Sequence, residues 1–262
     1  MSRGRRIRLV LGYDGSGFHG FARQEGLRTV QGVLEAELRR MLGVEIPVEG
    51  SGRTDRGVHA RAQVIHFDLP YGPPAGRMVH VLRRRLPVDL LPRAADEVDE
   101  GFHARFSVVR KTYRYTLDLA PHPDLYWYRY SWHLPEPLDL AAMQDAARHL
   151  LGEHDFTSFC AAEAPQRDKV RRIDRVEFRQ DGWRLHIEFE GNGFLQYMVR
   201  ILVGTLVKVG RGKERPDRIP LIMEARDRRL AGETAPPHGL CLWNVEYPPE
   251  YGGKVIDLDD DL

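Results

Sequence analysis

Two successive stretches of this chain carry the same order of apolar periodicities, strand, helix, strand, strand, helix, strand, and that order limits the fold more than any other feature. In the first stretch, Arg6 to Gly12 alternates, with Ile7, Leu9 and Leu11 on one side. Thr29 can cap a helix running to Leu42, whose Val30, Val33, Leu34, Leu38, Met41 and Leu42 form one apolar face. Val44, Ile46 and Val48 alternate as a second strand. Ala62 to Leu69 reads as a third, with Gln63, Ile65, Phe67 and Leu69 on one side. A helix over Arg77 to Leu86, stopped by Pro87, and a short strand around Val88 to Leu91 complete the set.

The second stretch repeats the order without repeating the sequence. Arg110 to Leu119 alternates through Tyr113, Tyr115 and Leu117, and Asp139 to Leu151 is a periodic helix closed by Gly152. Arg172 to Arg179 and Trp183 to Glu190 form a hairpin across Asp181-Gly182. An apolar helix covers Phe194 to Val209, and Leu240 to Tyr247 is a closing strand. The expected class is α+β: two ferredoxin-like halves, each β-α-β-β-α-β, with antiparallel sheets and helices on one face, as in RNA-recognition motifs. The expected domains are 1–105 and 106–247, followed by an acidic tail over 248–262 that reads as disordered.

Other classes are excluded by simple counts. The longest apolar run, Ile201 to Val207, is far short of the roughly 20 residues a membrane span needs. The basic start Ser2-Arg3-Gly4-Arg5-Arg6 precedes a run too short and too charged for a signal peptide. Cys160 and Cys241 make no disulfide framework, and His59, His66 and His154 lack ligand spacing, so no metal is expected. These features read as a cytoplasmic protein. The net charge of +1 conceals an uneven distribution: Glu250, Asp257, Asp259, Asp260 and Asp261 face only Lys254 in the tail. Of 39 basic residues 34 are Arg, whose donor fork suits phosphates and base edges. Composition bias or thermal adaptation explains the excess equally well.

Four features are candidates for the chemistry. Gly15-Ser16-Gly17-Phe18-His19-Gly20 matches G-x-G-x-x-G, but no helix opens at its third glycine, so it reads as a turn. Gly50-Ser51-Gly52-Arg53-Thr54-Asp55-Arg56-Gly57 sets an acid between two arginines in a loop joining two strands. There Arg53 and Arg56 would keep Asp55 ionised and could touch phosphates. Arg200 lies within an apolar helix, on a stripe with Gly193, Gln196, Tyr197 and Gly204, where a guanidinium needs a partner or a wet cleft. Asp55 is the candidate partner, and a side chain reaching the surface is the plain alternative. Tyr113, among Arg110, Lys111 and Arg114, suits either core packing or base stacking.

Taken together with Tyr13-Asp14-Gly15-Ser16, Phe102-His103-Ala104-Arg105-Phe106-Ser107, His154-Asp155-Phe156-Thr157-Ser158-Phe159, Met198-Val199-Arg200 and Ala235-Pro236-Pro237-His238-Gly239-Leu240, the Asp55 loop resembles the signature of the tRNA pseudouridine synthase A (TruA) family. The resemblance runs over about residues 6–248. Phe21-Ala22 departs where Gly-Trp is frequent, and Cys241 where Tyr is common. It implies isomerisation of uridine to pseudouridine at positions 38, 39 and 40 of the tRNA anticodon stem-loop, by a cofactor-free homodimer. On the matched positions, Asp55 would be the catalytic aspartate, Tyr113 the aromatic packed on the base, Arg200 the basic partner of the aspartate, and Arg53 the arginine that holds the base out of its stack. A non-catalytic RNA-binding protein or chaperone is the alternative, and it leaves Asp55 between its arginines without a task. A metal-free hydrolase lacks the second carboxylate that glycoside cleavage uses.

Overall fold

Alternation of Ile7, Leu9 and Leu11 becomes strand β1 (Arg5–Tyr13) in the computed structural model, which describes residues 4–163, 168–253 and 255. The elements that follow are α1 (Val30–Leu42), the two-residue β2 (Glu49–Gly50), β3 (His59–Leu69), α2 (Ala75–Arg83) and β4 (Leu90–Val98). They belong to the first of two compact units, Met1–Arg110 with the chain from Leu242 onward; the second is Lys111–Cys241. β1 is the centre of a sheet, antiparallel to β3 (Ile7↔Phe67, Leu9↔Ile65) and to β4 (Leu9↔Ala95, Tyr13↔Leu90). The apolar residues of β1 and β3 are buried on both faces, Leu9 and Ile65 on one side and Val10 and Val64 on the other. The Thr29 hydroxyl accepts from the Gly32 N–H at 3.2 Å, a cap worth about 1 kcal/mol.

The expected strand over Val44 to Val48 does not form. Ile46 and Val48 are buried as expected, but the backbone of Val48 bonds to α1 instead. Its N–H donates to Glu35 Oε1 at 3.1 Å, and its carbonyl accepts from Gln31 Nε2 at 2.9 Å. Side chains of the helix thus satisfy the groups a neighbouring strand would have taken. Where a short strand was expected around Val88 to Leu91, β4 runs nine residues from Leu90.

In the second unit β5 (Arg110–Asp118) is followed by β6 (Trp132–His133), α3 (Leu140–Arg148), β7 (Gly152–Asp155), β8 (Val170–Asp181), β9 (Arg184–Gly191), α4 (Met198–Gly210) and α5 (Arg218–Ala225). β5 is antiparallel to β9 (Tyr113↔Phe189, Tyr115↔Ile187), and the β8–β9 hairpin closes on Asp181↔Arg184 as its Asp-Gly turn requires. Asp139 caps α3 by accepting from the Ala142 N–H at 2.9 Å. α4 starts four residues later than its apolar run because Tyr197 takes a left-handed conformation, φ 62°, and Met198 N–H donates back to the Leu195 carbonyl. α5 goes unseen in the sequence because Pro220 sits in it. In a first turn proline breaks no helical hydrogen bond.

β10 (Leu240–Glu246) lies beside β3 in the first unit's sheet. The stretch expected to begin a disordered tail is structured at its start: Pro249–Tyr251 forms a short 3-10 turn, the Tyr247 N–H donates to the Gly253 carbonyl, and the Tyr251 ring stands edge-on to Phe102 at 5.1 Å. Residues 256–262, which hold the acidic run, lie outside the described residues.

Candidate active site

The loop between β2 and β3 has no regular structure of its own, yet its backbone is held at nearly every step. Ser51 N–H donates to the Val64 carbonyl at 2.7 Å, and the Ser51 hydroxyl donates to Gln63 Oε1 at 2.6 Å. The other end of the Gln63 amide donates to the Gly52 carbonyl at 2.8 Å. Thr54 Oγ1 lies 2.8 Å from the Tyr13 hydroxyl, and the Thr54 carbonyl accepts from the Phe21 N–H at 3.0 Å. Ser51, Gln63, Thr54 and Tyr13 are all buried, so these bonds form away from competing water. The Val58 N–H donates to the Asp55 carbonyl at 3.1 Å and closes the turn.

The G-x-G-x-x-G motif serves this loop. A side chain at Gly15 would put its Cβ 2.1 Å from the Val58 carbonyl oxygen, so only glycine permits the approach. The Gly15 N–H donates to His59 Nδ1 at 3.0 Å, and the Gly57 N–H reaches the Phe18 carbonyl. The motif is a clasp around the loop, in line with the reading as a turn. Between the fixed points Asp55 is half-buried, while Arg53 and Arg56 on either side are exposed. Among the described residues no side-chain hydrogen bond or ion pair engages either arginine.

In the second unit, Tyr113 is buried in the middle of β5, and its ring meets Phe194 edge-on at 5.2 Å and 82°. Arg200 is half-buried on α4. Its Nε donates to the Ala235 carbonyl at 2.7 Å, the Ala235 N–H donates back to the Arg200 carbonyl at 3.1 Å, and its guanidinium stands 5.1 Å from the centre of the Tyr197 ring. Of the stripe read from the sequence only Gly204 lies on α4, since Gly193, Gln196 and Tyr197 precede the helix, and the close run of chain against α4 depends on that glycine. A Cβ on Gly204 would fall 1.9 Å from the Glu233 carbonyl oxygen. Tyr115, two residues after Tyr113, donates to the Pro236 carbonyl at 2.8 Å. Its burial pushes the hydroxyl well above its ordinary pKa, with Arg200 pulling it back in part.

Asp55 and Arg53 are thus carried by the first unit, and Tyr113 and Arg200 by the second. Sequence reasoning assigned no role to Tyr13, Ser51, Thr54 or Gln63, the groups that fix the Asp55 loop. The one available signal was Gln63, an amide on the apolar side of an alternating strand. Among the described residues no group of three His, Cys, Asp or Glu side chains could hold a metal ion, and no helix is long and apolar enough to cross a membrane.

A family model described as tRNA pseudouridine synthase matches residues 10–107 and 146–248. The chain is 50% identical over 243 residues to the tRNA pseudouridine synthase A of Brevibacillus brevis, an alignment covering 93% of this chain and 100% of that relative. It is 47% identical over 244 residues to the tRNA pseudouridine synthase A of Bacillus subtilis, covering 92% and 99% of the two. The corresponding relative from Geobacillus kaustophilus is 47% identical over 247 residues, covering 94% and 95%.

Proposed function

The chain belongs to the tRNA pseudouridine synthase family, and from that membership we propose that Asp55 is the carboxylate that acts on the target uridine, at positions 38, 39 and 40 of the anticodon stem-loop. The enzyme is an isomerase acting on tRNA. In the conversion of uridine to pseudouridine the N1–C1′ bond breaks, the uracil turns, and C5 joins C1′. C5 gives up its proton to solvent and N1 gains one, so the atoms balance without a co-reactant.

One observation carries the proposal: a half-buried aspartate between two exposed arginines, on a loop tied at Ser51, Gly52 and Thr54 to the strands around it. A fixed backbone presents the carboxylate in one position, which is where an enzyme gains most over a mobile group. Direct attack on C1′ and assisted departure of the base to a glycal both start from that ionised carboxylate. Arg200 is proposed as its counter-charge, keeping it anionic as water is excluded. Extrusion of the nucleotide costs a few kcal/mol, offset by Arg53 in the vacated stack and by Tyr113 against the base. The edge contact from Phe194 supports Tyr113 in that role by fixing its ring.

The same reading takes the architecture as two ferredoxin-like halves, supported in the first unit by the order β1, α1, β2, β3, α2, β4. It takes the enzyme as a cytoplasmic homodimer working without metal or cofactor, on the strength of the family. The test is tritium release from tRNA transcripts labelled at uridine C5, each with a single uridine at 38, 39 or 40. Release from these and not from transcripts lacking all three is expected. A folded protein that binds these tRNAs and releases nothing would be the non-catalytic RNA-binding protein.

A further inference from the structure

One run of basic residues in the first unit lies on α2 and the turn that follows it. From Ala75 to Leu86 the chain carries Arg77, His80, Arg83, Arg84 and Arg85 and no acidic residue. Two of these are used by the fold: Arg83 Nε donates to the Pro92 carbonyl at 2.9 Å, and the Arg85 guanidinium lies 3.1 Å from Glu37 Oε1. Arg77, His80 and Arg84 are exposed, and their spacing of three and four residues sets them along one face. Among the described residues no side-chain hydrogen bond or ion pair engages any of the three. Elsewhere in the unit Arg6, Arg8, Arg23 and Arg28 each hold a carboxylate, while Arg53 and Arg56 flank Asp55. A solvated helix face ordinarily mixes its signs. This one carries Arg77 and Arg84 with no carboxylate between them.

The helix is also aimed. Its C-terminal turn leads through Pro87 into Asp89, whose carbonyl accepts from the Asp14 N–H at 3.1 Å, and Leu90, which pairs with Tyr13 in the β1–β4 register. Tyr13 in turn holds Thr54. The chain after Arg84 therefore runs into the end of the sheet that carries the Asp55 loop, and Arg77 lies about 10 Å back along the helix, at 1.5 Å per helical residue. A row of that length matches a few consecutive phosphates, and guanidinium forks bind phosphate oxygens two at a time.

We propose that the Arg77–His80–Arg84 face of α2 binds the phosphodiester backbone of the RNA substrate outside the reacting nucleotide. The proposal rests on the assignment of tRNA as substrate and adds a binding surface to it. Contacts of this kind position the RNA and carry no sequence preference.

The experiment measures Kd of the full chain for a labelled tRNA transcript across a series of KCl concentrations. It compares wild type, Arg77→Ala/Arg84→Ala, Arg77→Lys/Arg84→Lys, and Arg148→Ala/Arg215→Ala, which removes two exposed arginines from the other unit. Each phosphate contact adds about 0.7–0.9 to the slope of log Kd against log salt, so the α2 double variant is expected to lose roughly 1.5 from that slope and to bind about tenfold more weakly at low salt. The lysine variant is expected to recover most of both, and the Arg148→Ala/Arg215→Ala variant to match wild type. An α2 variant with an unchanged melting temperature and an unchanged slope overturns the proposal and leaves the face to another partner, such as an acidic protein. Wild type that neither binds tRNA nor releases tritium overturns the substrate assignment as well, so the two failures are told apart.

Discussion

The hydroxyls of Tyr13 and Thr54 lie 2.8 Å apart in the interior of the first unit, linking the last residue of β1 to the residue immediately before Asp55. Forty-one positions of sequence separate them, and both are buried. Through this bond the orientation of the Asp55 loop is set by the sheet.

Tyr13→Phe tests that coupling. It keeps the ring and removes only the hydroxyl, so Thr54 loses its partner in a buried setting, at about 1–2 kcal/mol. The expected result is a lower midpoint in urea together with a kcat reduced about tenfold and a KM for tRNA within about twofold of wild type. A variant that melts early but turns over normally would mean that the bond supports the fold and leaves the carboxylate where it was.

Asp55→Ala removes the proposed reacting group without touching the anchors at Ser51, Thr54 and Gln63. Turnover by tritium release is expected to vanish, while tRNA affinity changes by less than about threefold, because backbone phosphates supply most of the binding energy. Full activity in this variant would refute the role outright.

Much of this site could be read from residues alone, and the remainder shows what local patterns omit. The acid between two arginines in a glycine-flanked loop is a contiguous signal; of the stripe expected beside Arg200 only Gly204 lies on the helix. The bonds that fix the loop join Tyr13 to Thr54 and Ser51 to Gln63, pairs brought together by strand register, which no local period encodes. Ile46 and Val48 misled in a different way. Their alternation records burial, and a chain lying over Gln31 and Glu35 of α1 buries them as well as a sheet would. Pro220 hid α5 because proline marks a helix start as readily as a break.

Gly204→Ala addresses the packing behind Arg200. Alanine favours a helix by up to about 1 kcal/mol over glycine, which alone would stabilise α4. Here the new methyl would meet the Glu233 carbonyl at 1.9 Å, and backbone cannot swing aside as a side chain can. The overpacking is expected to win, with a net loss of about 1–3 kcal/mol in urea unfolding and weaker catalysis as the Ala235 carbonyl moves off Arg200.

His66 and His186 are both pushed down to about 4, His66 by burial first and then by His103 and Arg6, His186 by burial first and then by Arg114. The Ala104 N–H donates to His66 Nδ1 at 3.2 Å, a bond that needs that nitrogen unprotonated. Each imidazole is thus neutral in the fold at pH values where the unfolded chain, near 6.5, already takes up a proton. Between about pH 6.5 and 4 the unfolded state holds more protons, so stability is complete above 6.5 and falls as the pH drops toward 4. The loss is about 1–2 kcal/mol per histidine after allowance for residual solvation. Urea midpoints at pH 7.0, 5.5 and 4.5 are expected to fall in that order for wild type. In His66→Asn, which keeps an acceptor for Ala104 and cannot titrate, the fall is expected to be shallower. Parallel curves for the two proteins would show that His66 contributes nothing to the acid sensitivity.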